Sequence, residues 1–193
     1  MSKKPKGKPS DKNKGKSKGG TLAGGHEGES KDAAVTVRFV KTEEDVEAFL
    51  EMASLAHEES RYRDFPYDSF SRKDLWRERL LGKKTNFVAL LAEFHKKPVG
   101  VLVAMLGKYL YSDDPATQCH SFYVRPENRS GVSAIKLLHA YRRWAEAQGA
   151  IAMSVHVTSG IRIKTTDKLL RRLGFEQTGG NYEISLVKPE KDE

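Results

Sequence analysis

From Val35 onward, apolar and polar positions follow two alternating periods. "VTVRFV" (Val35 to Val40) alternates as a half-buried strand does. Thr42 and Asp45 then make a capping-box pair, which predicts a helix through about Ala56. "HEESRYRDFPYDSF" has no period and is expected to be irregular, and a second capping box, Ser71 with Asp74, opens a helix that stops at Gly82. "NFVALLAEF" and "PVGVLVAMLGKYLYS", joined by "HKK", predict a hairpin. A further strand runs from about Thr117 to Val124. Ala134, Leu137, Leu138, Tyr141 and Ala145 recur at helical intervals, predicting a helix to Gln148 that Gly149 ends. "IAMSVHV" reads as a strand and "IRIKTTDKLLRRL" as a helix closed by Gly174, while "FEQT", "GG" and "NYEISLV" read as a final hairpin. The order β-α-α-β-β-β-α-β-α-β-β predicts an α/β fold, a mixed sheet covered by helices on both faces.

Composition changes this picture at the N-terminus. The first 20 residues carry eight Lys against one Asp, and seven of the 16 Gly fall before residue 29. Such a segment buries too little apolar surface to offset the entropy of ordering it. The expected division is a disordered basic tail over residues 1–34, one domain over 35–188, and a short charged tail over 189–193. Of the net charge of +8, residues 1–33 supply nine Lys minus four acids, or +5, which leaves +3 for the rest. The tail can therefore make weak contact with nucleic acid or an anionic surface, or serve only as a solubilising leader. No signal-like apolar region or run of ~18 apolar residues is present, so a soluble, cytoplasmic protein without a membrane span is expected. The lone Cys119 leaves no internal disulfide, and the scattered His offer no metal-ligand spacing, so no metal is expected.

The stretch "SFYVRPENRSGVSAIKLL" (121–138) adds chemistry: a strand breaks at a proline and passes through a loop of Arg, Ser and Gly into a helix. A helix start leaves unpaired N–H groups and a positive dipole end, both suited to phosphate oxygens, and small residues let a ligand approach the backbone. Together with "LLRRLGF", this stretch resembles the GNAT superfamily of acyl-CoA-dependent N-acyltransferases over residues 35–187, in a style most like the GNAT-type proteins of bacteriophages. Val124 and Pro126 match the family's V-x-P turn. Arg129 and Ala134 match the ends of its R/Q-x-x-G-x-G/A loop. Val132 replaces the middle Gly, and a β-branched residue there does not easily take positive φ. Leu170 stands where the family often has the Tyr that protonates the thiolate.

The resemblance implies an acetyl-CoA-dependent N-acetyltransferase acting on an unidentified amine by direct attack on the thioester. It implies acetyl-CoA contacts by Arg129, Ser130, Gly131, Val132, Ser133 and Ala134. A backbone N–H of Phe122, Tyr123 or Val124 would polarise the thioester carbonyl. A lysine-type amine with a pKa of ~10.4 needs a base. His120 is the first candidate, placed by strand parity with Phe122 and Val124; a His hydrogen-bonded within the sheet is the alternative. His57, Glu58 and Glu59, with Tyr62 and Tyr67, fall in the segment that lines the family's acceptor pocket, though a solvated helix end also explains them. His156 shares parity with Ser154 and can face either a cleft or a polar sheet surface. A fold retained for binding or structure without turnover, for example a phage particle component, is the rival reading. The cytoplasm, the host's for a phage protein, or the virion would be the location.

Overall fold

The computed structural model describes residues 34–67, 73–82, 86–129 and 132–184. The strands β1 (Val35–Phe39), β2 (Phe87–Phe94), β3 (Lys97–Lys108), β4 (Pro115–Val124) and β5 (Ala152–Val155) form one sheet in that order. All neighbours are antiparallel except β4 and β5, which run parallel. The helices are α1 (Glu43–Glu59), α2 (Lys73–Leu81), α3 (Ser133–Ala147) and α4 (Ile163–Arg172). Among the described residues no helix is long and apolar enough to cross a membrane.

Local chemistry explains the joints. At the start of α1, Thr42 accepts from the Asp45 N–H and the Asp45 carboxylate accepts from the Thr42 N–H, completing the predicted capping box. Arg38 on β1 grips the same carboxylate with two donors, each at 2.7 Å, and so ties strand to helix. The Arg38 guanidinium is the main reason that the Asp45 carboxyl is pulled down to about 2. Between β2 and β3, His95 and Lys96 take φ of 48° and 62°, as both central residues of a type I′ hairpin turn must.

Residues of alternating parity on the central strands feed two cores. On one face Leu137, Leu138 and Tyr141 of α3 pack with Leu90, Leu102 and Ala104. On the other, Phe49 and Met52 of α1 pack with Leu91, Val101 and Val103. Each fully buried side chain of this size contributes ~1.5–3 kcal/mol.

Three expectations are corrected. The helix α1 runs on to Glu59, where Ser60 caps it with its N–H and hydroxyl on the His57 carbonyl, so His57, Glu58 and Glu59 form a helical last turn. The strand β5 stops at Val155 instead of continuing to residue 157. Residues 175–184 form no strand, and Tyr182 and Ile184 are 98% and 82% exposed: a period of two stabilises a strand only where a sheet edge pairs with it. Residues 185–187 of that expected hairpin, and Ser71 of the second capping box, lie outside the described residues.

Candidate active site

A cleft opens where β4 and β5 part. Their parallel pairing runs only from Ala116↔Ala152 to Cys119↔Val155. At the next position β4 carries a bulge: Val103 pairs with Ser121 and Ala104 with Cys119, so His120 has no partner on β3. A bulge increases local twist and turns a strand away from its neighbour. Beyond it a cleft of about 230 Å³ lies between residues 120–124 and residues 155–159.

The end of α1 fixes the far wall. The Arg61 N–H donates to the Ser159 carbonyl at 2.9 Å, and the Tyr62 hydroxyl donates to the Thr158 carbonyl at 3.1 Å. Gly160 takes φ of 80° against the Arg61 side chain, a conformation that suits glycine. These contacts anchor the chain leaving β5 beside α1, away from β4.

Beside the cleft α3 begins at Ser133; among the described residues no side chain caps it, and its first N–H groups have no partner within the helix. Val132 sits at φ −85°, ψ 0°; the position does not demand positive φ, and the expected conflict with a β-branched residue does not arise. Ala134 lines the cleft, whereas Ser133 is 1% exposed and belongs to the interior. Ser130 and Gly131 lie outside the described residues.

Arg129 is held in place. Its two terminal nitrogens donate to both oxygens of Glu59, its Nε donates to the Val124 carbonyl at 2.7 Å, and its guanidinium lies 5.2 Å from the Tyr123 ring centre. The Tyr123 hydroxyl completes the group by donating to Glu59 at 3.2 Å. The guanidinium of Arg129 holds the Glu59 carboxyl below the usual carboxylate range, while burial is the main cause raising the Tyr123 hydroxyl.

The structure brings His120, Phe122, Tyr123, Val124, Arg129 and Ala134 together around the cleft. It does not bring His57 or Glu58 there. His57 packs against Tyr67 with ring centres 4.8 Å apart and the rings tilted by 42°, and Glu58 accepts from the Ser54 hydroxyl at 3.3 Å. The parity that grouped His120 with Phe122 and Val124 fails, because the bulge resets it: Cys119 and Phe122 both pack on the α3 side. Leu170 is buried in that core at 8% exposure. Burial pushes the Cys119 thiol up to about 12, so it is no thiolate near neutral pH. His156, Ser159, Arg162 and Thr165 complete the wall. Of these, only His156 carried any signal in the sequence, its parity with Ser154.

No family model and no curated protein matches the chain. Solved structures do. The aminoglycoside N-acetyltransferase AAC(6')-Iy, solved with a CoA-containing bisubstrate analogue, aligns over 80% of this chain and 99% of its own, at 17% identity and a TM-score of 0.62. The fold is the GNAT acetyltransferase fold. A transcriptional regulator from Bacillus halodurans C-125 shares it at 20% identity and TM-score 0.62, covering 79% of this chain and 99% of its own. So does a ribosomal-protein-alanine N-acetyltransferase from Brucella melitensis, at 14% identity and TM-score 0.56, covering 79% and 98%. A shared fold leaves the chemistry to the residues of the site.

Proposed function

We propose that the protein is an acetyl-CoA-dependent N-acetyltransferase that transfers an acetyl group to an amine by direct attack on the thioester. The observation that carries this reading is the cleft between β4 and β5, lined by Ala134 in the first turn of α3 and by His120 where the two strands part. Between them the edge of β4 from His120 to Val124 spans ~13 Å at ~3.3 Å per residue. Its backbone groups on the cleft side have no partner on β5, which pairs only as far as Cys119. An extended arm carrying amide groups, as in pantetheine, would pair there as a surrogate strand, with its diphosphate at the α3 N-terminus and its thioester beside His120.

In this arrangement His120 accepts the amine proton as the C–N bond forms, and the C–S bond breaks to release the CoA thiolate, which takes its proton from water. An N–H of the β4 segment 122–124 stabilises the charge developing on the carbonyl oxygen. Direct transfer is favoured because the one thiol at the fork, Cys119, is buried and protonated. Titration of the purified protein with acetyl-CoA and CoA, followed by thiol release in the presence of amines, tests the reading. Micromolar binding and amine-dependent release are expected; an absence of binding overturns it.

A second reading, a GNAT-fold binding or structural protein, is favoured by Leu170, whose burial in the core removes a hydroxyl acid from that point of α4. It predicts CoA binding without amine-dependent thiol release, or neither. Both readings suit the cytoplasm, the host's if the chain is of phage origin, and the second also suits a particle.

A further inference from the structure

The cation at the loop position of the family motif is already satisfied by protein groups. Arg129 is 14% exposed, both ends of its fork are on Glu59, and its Nε is on the Val124 carbonyl. A phosphate could take this guanidinium only by displacing Glu59, which would leave a partly buried carboxylate without its ion pair. The opposite wall holds a cation with no such commitment. Arg162 lines the same cleft, is exposed, and makes no ion pair among the described residues. It takes the left-handed conformation, φ 44° and ψ 41°, which is unfavourable for a residue with a Cβ, and so turns the chain leaving β5 into α4. Arg162 and Arg129 line the same cleft, and the Arg162 charge lies within electrostatic reach of the Glu59 carboxyl that braces the β4–α3 turn.

We infer that Arg162 supplies the guanidinium for the diphosphate of the acyl-CoA, and that Arg129 is a positioning residue holding the β4–α3 turn through Glu59. The inference rests on the acetyl-CoA reading above. The start of α3 then forms one side of the phosphate site and Arg162 the other, closing on the ligand from the β5 side, while residues 120–124 pair with the pantetheine arm.

Three ligands separate the sources of phosphate: CoA, dephospho-CoA, which keeps only the diphosphate, and pantetheine, which has neither phosphate group. In calorimetric titration Arg162→Ala is expected to weaken CoA and dephospho-CoA alike by about 10–100-fold, the range for hydrogen bonds to charged groups, and to leave pantetheine unchanged. Arg162→Gly is expected to lose the same affinity without losing thermal stability, because glycine adopts the left-handed conformation freely. Arg129→Ala is expected to lower the melting temperature and to weaken CoA and pantetheine by the same factor. Wild-type CoA affinity in the Arg162 variants overturns the assignment while leaving the acetyl-CoA reading intact. A loss seen with CoA but not with dephospho-CoA overturns it in favour of the 3′-phosphate. Failure of the wild-type protein to bind any of the three overturns both readings together.

Discussion

The two edges of β4 are built differently. Along one, β3 pairs with it from Lys108↔Pro115 to Gly100↔Val124, interrupted only at His120. Along the other, β5 pairs through four positions and then leaves. The paired edge is tight: a Cβ added at Gly100 would stand 3.0 Å from the Tyr123 carbonyl and 3.1 Å from a Val124 methyl. The open edge has N–H and C=O groups facing a cleft. Backbone left unpaired at a sheet edge is usually a hazard, and here the α1 end and the β5–α4 segment form a wall across a cleft of about 230 Å³. Tight pairing and the open cleft thus divide between the two edges of one strand.

The sharpest test of that division is His120→Ala. On the acetyltransferase reading it lowers amine-dependent turnover by ~10²–10⁴-fold, the usual contribution of a general base, while CoA affinity and melting temperature stay near wild type. Unchanged turnover would remove His120 from the chemistry. On the paired edge, Gly100→Val is expected to cost ~1–3 kcal/mol in denaturant unfolding through overpacking against β4. An unaltered midpoint would show that the β3–β4 contact has slack.

Acid separates the joints from the sheet. Asp45 has a folded pKa of about 2, depressed from 3.8, so its contribution is present above about pH 4 and is lost as pH falls toward 2. For a nearly buried carboxylate this amounts to about 2 kcal/mol, and Arg38→Ala should remove most of that pH dependence from the unfolding curve. Glu59, also depressed, behaves with the same sign on the open side. The smallest effect is expected for Tyr141→Phe. The Tyr141 hydroxyl lies 3.0 Å from the Thr117 hydroxyl and donates to the Ser154 carbonyl at 3.3 Å, bridging β4 and β5 just before they part. Its loss should cost ~1 kcal/mol and speed hydrogen exchange in β5, with little change in β2 or β3.

Much of the fold was legible because its signals are local. The Thr42–Asp45 capping box, the alternation in β1, the apolar runs of β2 and β3 and the apolar stripe of α3 each lie within a short window, and each formed. The final hairpin was misread because alternation reports only a capacity to pair, and the partner is not local. Of the candidate site, Val124, Arg129 and Ala134 line the cleft and Pro126 opens the turn between them, so the strand–loop–helix geometry was legible locally. His57 and Glu58 were drawn in by their place after the first helix, but the extra turn of α1 leads them elsewhere. Arg162 and Ser159 gave no signal, since nothing near them in the sequence distinguishes a cleft wall from a surface loop.

By itself the sequence determined the order and type of most elements and the strand–loop–helix turn at 121–138, because periodicity, caps and proline act over a few residues. Tertiary structure alone decided that β4 bulges at His120, that β5 departs after Val155, and that Arg129 is taken up by Glu59 some 70 positions away in the chain. These depend on which strands become neighbours and where their pairing ends, and that is set by packing between distant segments.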